Sequence, residues 1–148
     1  MSRYISEQLR RLVANRANNL CEYCLIHDED TFFSCQVDHI ISLKHNGKTE
    51  PENLAFACAF CNRNKGSDIG SILLPGNKFT RFYNPRTDKW SYHFELEESI
   101  IKAITDIGKA TVKILDFNNI DRIIERKTLI DERRYPHPLA IEQIKKHQ

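Results

Sequence analysis

The sequence lacks the features that mark membrane-spanning and secreted chains. Its 148 residues contain no run of about 18 consecutive apolar residues, so no transmembrane helix is predicted. Residues 1–12 mix charged and apolar side chains and have no signal-peptide core, which favours a cytoplasmic protein. Internal repeats and low-complexity tracts are also missing. We therefore expect one globular domain with a small appended subdomain.

Cysteine is scarce, and four of the five cysteines form two matched pairs. Cys21 and Cys24 make one Cys-x-x-Cys pair, and Cys58 and Cys61 make the other. In a cytoplasmic chain this usage argues against a disulfide framework. Each pair lets two thiolates reach one ion from a tight turn, and two pairs complete the tetrahedral site typical of structural zinc. The fifth cysteine, Cys35, is expected to be a small buried residue.

The distance between the two pairs indicates that they enclose more than a zinc ribbon. Residues 25–57, 33 in all, separate Cys24 from Cys58, whereas the pairs of a ribbon are about 15–20 residues apart. The enclosed segment contains the dipeptide Asp38-His39. Adjacent side chains on a strand point to opposite faces, so both can serve one site only where the strand ends and the backbone turns.

The residue types around this dipeptide are those of a hydrolytic metal site. His39 could take a proton from water, because imidazole titrates near neutral pH. Asp38 could offer a hard oxygen ligand to Mg²⁺ or a similar ion, and Asn62 could supply a second oxygen. Asn53 could hold the loop by hydrogen bonds. The alternative is that aspartate and histidine form a structural pair and that the asparagines only cap helices or form turns.

The net charge is low, at +2, but it is unevenly distributed along the chain. Residues 1–61 carry six basic and eight acidic groups, whereas residues 62–89 carry six basic and two acidic groups. This positive stretch follows the second cysteine pair, where a polyanion such as a nucleic acid would lie if the centre is catalytic. Solvated surface is the alternative explanation. The residues expected to contact nucleic acid are Arg63, Lys65, Arg81 and Arg86.

Hydrophobic patterning predicts an α+β fold around this centre. Helices are predicted over residues 6–18, from residue 62 to near Gly66 or Gly70, after a cap at Thr105 or Asp106, and over residues 119–134. Strands are predicted over residues 32–41, 54–57, 78–83 and 91–104. The turn at residues 74–77 is the clearest boundary, so we expect a core of residues 1–74 and a small C-terminal strand-and-helix subdomain of residues 75–148.

The order of these motifs resembles that of the HNH endonucleases, the zinc-bearing branch of the ββα-metal nucleases. That order is Cys-x-x-Cys, Val-Asp-His-Ile, Asn-Leu and Cys-x-x-Cys-Asn-x-x-Lys-Gly. By position, His39 matches the general base of the family, Asp38 and Asn62 the ligands of the catalytic ion, and Asn53 the asparagine that fixes the loop. Lys65 falls where a phosphate-facing lysine is common. The family's proline and Gly-Gly are replaced here by Ile41-Ser42 and Asn46-Gly47.

The resemblance implies a metal-dependent hydrolase that cleaves phosphodiester bonds in DNA, expected to be double-stranded. It also implies structural Zn²⁺ on the four cysteines and catalytic Mg²⁺ or Mn²⁺. A non-catalytic, zinc-stabilised nucleic-acid-binding module would use the same cysteines and basic stretch, but it has no need of His39 or Asn62. A third possibility is a structural protein whose C-terminal part docks another subunit.

Overall fold

The computed structural model describes residues 4–146, which form six α-helices and three separate two-stranded antiparallel sheets. The helices are α1 (Glu7–Arg16), α2 (Ala59–Lys65), α3 (Trp90–His93), α4 (Asp106–Ile114), α5 (Ile120–Asp131) and α6 (Pro138–Lys146). The strands are β1 (Gln36–His39), β2 (Leu54–Ala57), β3 (Gly70–Leu73), β4 (Lys78–Arg81), β5 (Phe94–Glu97) and β6 (Ile100–Ala103). This mixture confirms the predicted α+β class. No helix in the described range is long and apolar enough to cross a bilayer.

Strands β1 and β2 and helix α2 form a ββα unit. The two strands pair so that His39 lies opposite Leu54 at one end of the ladder. Cys58 then caps α2, because its thiol accepts a hydrogen bond from the amide of Cys61. Gly66 ends the helix with a φ of 53°, in the left-handed half of conformational space that glycine adopts readily. Strand β1 is shorter than the predicted segment 32–41, because Phe32 and its neighbours lie outside the ladder.

Helix α1 covers one face of this unit. Ser6 begins the helix by accepting a hydrogen bond from the amide of Leu9. The buried Val13 of α1 packs in a small apolar cluster with Leu54 and Phe56 of β2. Arg16, in the last turn, donates to the carbonyl oxygen of Leu54 at 2.8 Å. The predicted covering helix is therefore present, two residues shorter at its end than the sequence pattern indicated.

The C-terminal part differs from the prediction in one segment. The predicted strand over residues 91–104 is right for residues 94–97 and 100–103, which are strands β5 and β6. It is wrong at its start, because Trp90–His93 is a short helix, and wrong in its continuity, because β5 and β6 form a hairpin. Glu98 lies between the two strands with a φ of 55°, which breaks the extended run. The predicted cap is confirmed, because the hydroxyl of Thr105 accepts a hydrogen bond from the amide of Gly108 at the start of α4.

One apolar core spans both halves of the sequence. It joins the two cysteine pairs to the aromatic residues Phe82, Tyr83, Trp90 and Phe94. Residues 74–77, where we expect a boundary, form the turn that connects β3 to β4. The C-terminal residues thus pack directly against the metal-site side of the ββα unit.

Candidate metal centre and catalytic cleft

The four paired cysteines converge on one point in the core. Their sulfur atoms all lie within 4.8 Å of one another, and each residue is buried. The sulfur atoms of Cys24 and Cys58 are 3.7 Å apart. Ligands about 2.3 Å from a tetrahedral zinc ion are separated by about 3.8 Å. The cluster can therefore hold a metal such as zinc, as the spacing predicts.

The two cysteine turns share one local geometry. The amide of Cys24 donates to the sulfur of Cys21, and the amide of Cys61 donates to the sulfur of Cys58, each at 3.5 Å. Leu25 closes the first turn with a φ of 69° and donates to the carbonyl oxygen of Cys21. Amide donors favour the charged thiolate, which is the form that binds metal.

Arg122 of α5 completes the surroundings of the sulfur atoms. Its Nη2 lies 3.0 Å from the sulfur of Cys24 and 3.6 Å from that of Cys58. Burial acts to raise the pKa of the Cys24 thiol, but hydrogen bonds from the neighbouring thiols and the Arg122 charge lower it well below its usual value. No sequence signal identifies Arg122, because it reads as one more charged residue on an amphipathic helix.

Asp38 points into the protein and is 95% buried at its side chain. The hydroxyl of Tyr23 donates to its Oδ2 at 3.0 Å. Nζ of Lys65 lies 3.3 Å from Oδ1 and 3.2 Å from Oδ2, and it also donates to the carbonyl oxygen of His39. Burial raises the pKa of the Asp38 carboxyl, whereas Lys65 and Tyr23 oppose the shift. Lys65 thus fixes the Asp38-His39 dipeptide from inside.

His39 lies at the end of β1 with its ring half-buried. Its Nε2 is 2.9 Å from the hydroxyl oxygen of Thr49, which orients the ring. Burial and, after it, the charge of Lys65 lower the pKa of His39. A lowered pKa favours the neutral imidazole, which is the form that a general base needs.

One open cleft brings the three predicted catalytic groups together. Asp38, His39 and Asn62 all line it, and its volume is about 430 Å³, enough to admit a phosphodiester group. Asn62 uses its side-chain nitrogen to donate to the side-chain oxygen of Gln36, which leaves its own oxygen for a ligand. The amide oxygen of Asn62 on this open cleft is a ligand type that fits Mg²⁺ or Mn²⁺. Both oxygens of the buried Asp38 carboxylate are also of a fitting type, but Tyr23 and Lys65 already hold them.

Asn53 ties down the loop beside this cleft. Its Oδ1 accepts from the amide of Ile41, and its Nδ2 donates to the carbonyl oxygens of Ile41 and Lys48, all at 2.9 Å. Gly47 allows the loop to close, because a Cβ there would lie 1.7 Å from the carbonyl oxygen of Ile41. The loop that follows β1 is thereby held in one shape.

The four basic residues expected at a nucleic-acid surface have different environments. Lys65 is 1% exposed and paired with Asp38. The Arg86 side chain is 14% exposed and bound to Glu22. Arg81 is half-exposed and makes a bidentate ion pair with Asp88. Arg63 is exposed, with its guanidinium over the ring of Phe60. The structure thus gives Lys65 and Arg86 internal partners instead of a solvent-facing position.

Replacing Lys65 with methionine is expected to lower the free energy of unfolding by about 3–5 kcal/mol. The substitution leaves a buried carboxylate without its cation, and breaking such a pair from one side costs about this much. Urea denaturation followed by circular dichroism measures the loss. The double variant Lys65→Met/Asp38→Asn removes both charges and should recover most of it. Equal stability of the single variant and the wild type would contradict the pairing.

Comparisons with known proteins agree with this geometry. The family model described as HNH endonuclease matches residues 21–68, the segment that contains both cysteine pairs and the cleft residues. The resemblance seen in the motifs is therefore confirmed for this segment, and HNH domains act on nucleic acids. The chain is also similar to Septu protein PtuB from Bacillus thuringiensis, with 28% identity over 116 residues. The match covers 77% of this chain but 42% of that protein. No solved structure matches.

Proposed function

Because residues 21–68 carry an HNH domain, we propose that the protein is a metal-dependent endonuclease that hydrolyses phosphodiester bonds in double-stranded DNA. One observation carries the proposal: Asp38, His39 and Asn62 line the same open cleft beside the buried cysteine cluster. Reduced thiols gathered around one centre are typical of a reducing compartment, which supports action in the cytoplasm.

In this mechanism His39 takes a proton from the water that attacks the phosphorus atom in line. The bond from phosphorus to the 3′ oxygen breaks, and this oxygen takes a proton from solvent water, which leaves a 3′-hydroxyl and a 5′-phosphate. Thr49 orients the ring of His39, and Asn53 holds the loop that carries Thr49 toward the cleft. Asp38 and Asn62 would hold the divalent ion, which supplies neutralisation of the charge that develops on the phosphate. Zn²⁺ on the four cysteines has a structural role.

A non-catalytic nucleic-acid-binding module is the second candidate. The observation in its favour is that Lys65 already balances the charge of Asp38, so the cleft is stable without an added ion.

The division into a nuclease core, residues 1–74, and an extension, residues 75–148, is likewise a proposal. In it the extension supports the core instead of binding DNA by itself.

Incubation with supercoiled plasmid tests the catalytic proposal. Relaxed or linear DNA should form with Mg²⁺ or Mn²⁺ and should not form when these ions are left out. DNA binding without cleavage under all ion conditions would favour the binding module. Zinc content measured on the same samples verifies that the structural site is loaded throughout.

Replacing Lys44 with glutamine should weaken DNA binding. Lys44 is the one lysine or arginine among the described residues that line the cleft, so its ammonium group can contact the phosphate. Loss of one phosphate contact reduces the slope of log affinity against log salt by about 0.9 for duplex DNA. Fluorescence anisotropy with labelled DNA across a salt series measures the slope. Lys48→Gln is the matched control, an exposed lysine of the same loop outside the cleft lining; equal slopes in the two variants would argue against a specific role.

A further inference from the structure

The surroundings of the cysteine cluster are built by the part of the chain outside the HNH match. Arg122 lies in α5, 98 residues from Cys24 and 64 from Cys58, and reaches both sulfur atoms with one guanidinium nitrogen. Its Nη1 is also 4.0 Å from the sulfur of Cys61. The side chain is 3% exposed, and its guanidinium lies 4.9 Å from the ring centre of Phe60. Arg122 is thus fixed on the thiolate side of the site.

The charge of the loaded site explains why a cation is placed there. Four thiolates around one divalent ion have two negative charges in excess. A buried charge of this kind is costly unless it is paired and hydrogen-bonded. Arg122 brings one positive charge and donor groups directly to the sulfur atoms, and N–H donors bonded to a charged acceptor are the strong class of hydrogen bond.

Three further contacts join the C-terminal part to the first cysteine turn. The indole nitrogen of Trp90 donates to the carbonyl oxygen of Tyr23, and the hydroxyl of Tyr135 donates to that of Cys24, both at 2.8 Å. Arg86 pairs with Glu22, whose other carboxylate oxygen accepts from the amide of Phe56 in β2. The backbone between Cys21 and Cys24 is therefore held from the C-terminal side as well.

We propose that Arg122 is the charge-balancing partner of the four-thiolate metal site, and that loading the metal and docking the C-terminal part are one coupled process. The inference rests on the cysteine cluster holding a metal and not on nuclease activity. It assigns a role to the C-terminal half that no motif in that half reveals.

Zinc affinity of the full-length protein tests the first half of the proposal. Zinc transfer to a chromophoric chelator under reducing conditions gives an apparent dissociation constant. Arg122→Met should raise this constant about 10–100-fold, the range found when groups around metal ligands are removed. Arg122→Lys keeps the charge and should recover part of the affinity. The matched control is Arg126→Met, since Arg126 is fully buried in the same helix but bonds carbonyl oxygens.

The outcomes separate a charge effect from general destabilisation. A loss in Arg122→Met that is absent from Arg126→Met supports the proposal. Unchanged zinc affinity in Arg122→Met, or an equal loss in both variants, overturns it. If Arg122→Met does not fold, Arg122→Lys carries the test. A measurable loss of zinc affinity in Arg122→Lys that is absent from Arg126→Met supports the role, and wild-type affinity in Arg122→Lys overturns it.

The single tryptophan reports on docking. Trp90 is 3% exposed and bonded to the cysteine turn, so its emission should move to longer wavelength when zinc is removed and return when zinc is restored. In zinc-saturated Arg122→Met, or Arg122→Lys where the former does not fold, the return should be incomplete. Emission that does not respond to zinc removal in the wild type would overturn the coupling, whatever the outcome of the plasmid assay.

Discussion

The His39→Ala variant is expected to lose DNA cleavage while it keeps its fold and its zinc. General acid–base catalysis contributes about 10²–10⁴-fold to a rate, so cleavage in Mg²⁺ should fall by at least this factor. The ring of His39 is half-buried and makes one side-chain hydrogen bond, to Thr49. Its removal therefore affects the cleft far more than the core. A plasmid nicking time course, with circular dichroism and zinc content on the same preparation, measures all three properties.

His45→Ala is the matched control for this experiment. His45 lies in the loop after β1, is exposed, and is not among the residues that line the cleft. Its loss should leave cleavage close to that of the wild type. Wild-type cleavage by His39→Ala would remove His39 from the mechanism. An equal loss in both variants would point to an effect on the loop as a whole.

Cys58→Ser is expected to prevent stable folding. Binding of structural zinc to small domains contributes an apparent 10–16 kcal/mol near neutral pH, which is as large as the whole stability of a typical domain. Cys58 also caps α2 and lies in the main core cluster, so its loss affects the helix that carries Asn62. Zinc content should fall, and the cooperative thermal transition measured by circular dichroism should disappear.

Cys35→Ser makes the same chemical change outside the cluster. Cys35 is half-buried, and it is the fifth cysteine, not part of the four-sulfur group. Burial raises the pKa of its thiol, which fits a neutral packing residue. This variant should keep its zinc and its cooperative transition. A Cys58→Ser protein that melts as the wild type does would contradict a structural role for the cluster.

Local chemistry in the sequence was sufficient for the parts of the site that are close along the chain. The Cys-x-x-Cys turns depend on a spacing of three residues, and both appear with the same amide-to-sulfur geometry. The starting points of α1 and α4 follow from Ser6 and Thr105, whose side chains accept hydrogen bonds from the backbone amides three residues later. Such features require no knowledge of distant partners.

The remaining features depend on pairs that no local pattern specifies. A lysine after Cys-x-x-Cys-Asn can face solvent or turn inward, and Lys65 turns inward because the buried Asp38, 27 residues earlier, needs a cation. Arg86 meets Glu22 across 64 residues in the same way. Tyr92, His93 and Phe94 alternate like a strand. The indole nitrogen of Trp90 nevertheless donates to the carbonyl oxygen of Tyr23, and residues 90–93 form a short helix that is compatible with this contact.

The shared core also limits where the chain can be truncated or divided. Phe82, Tyr83, Trp90 and Phe94 pack in the cluster that contains the cysteines, although they lie after residue 74. A fragment that ends at the turn of residues 74–77 would expose its sulfur cluster to water and leave a large apolar surface uncovered. For fusion proteins or engineered chimeras, the transferable piece is therefore the whole chain and not the short motif that identifies it.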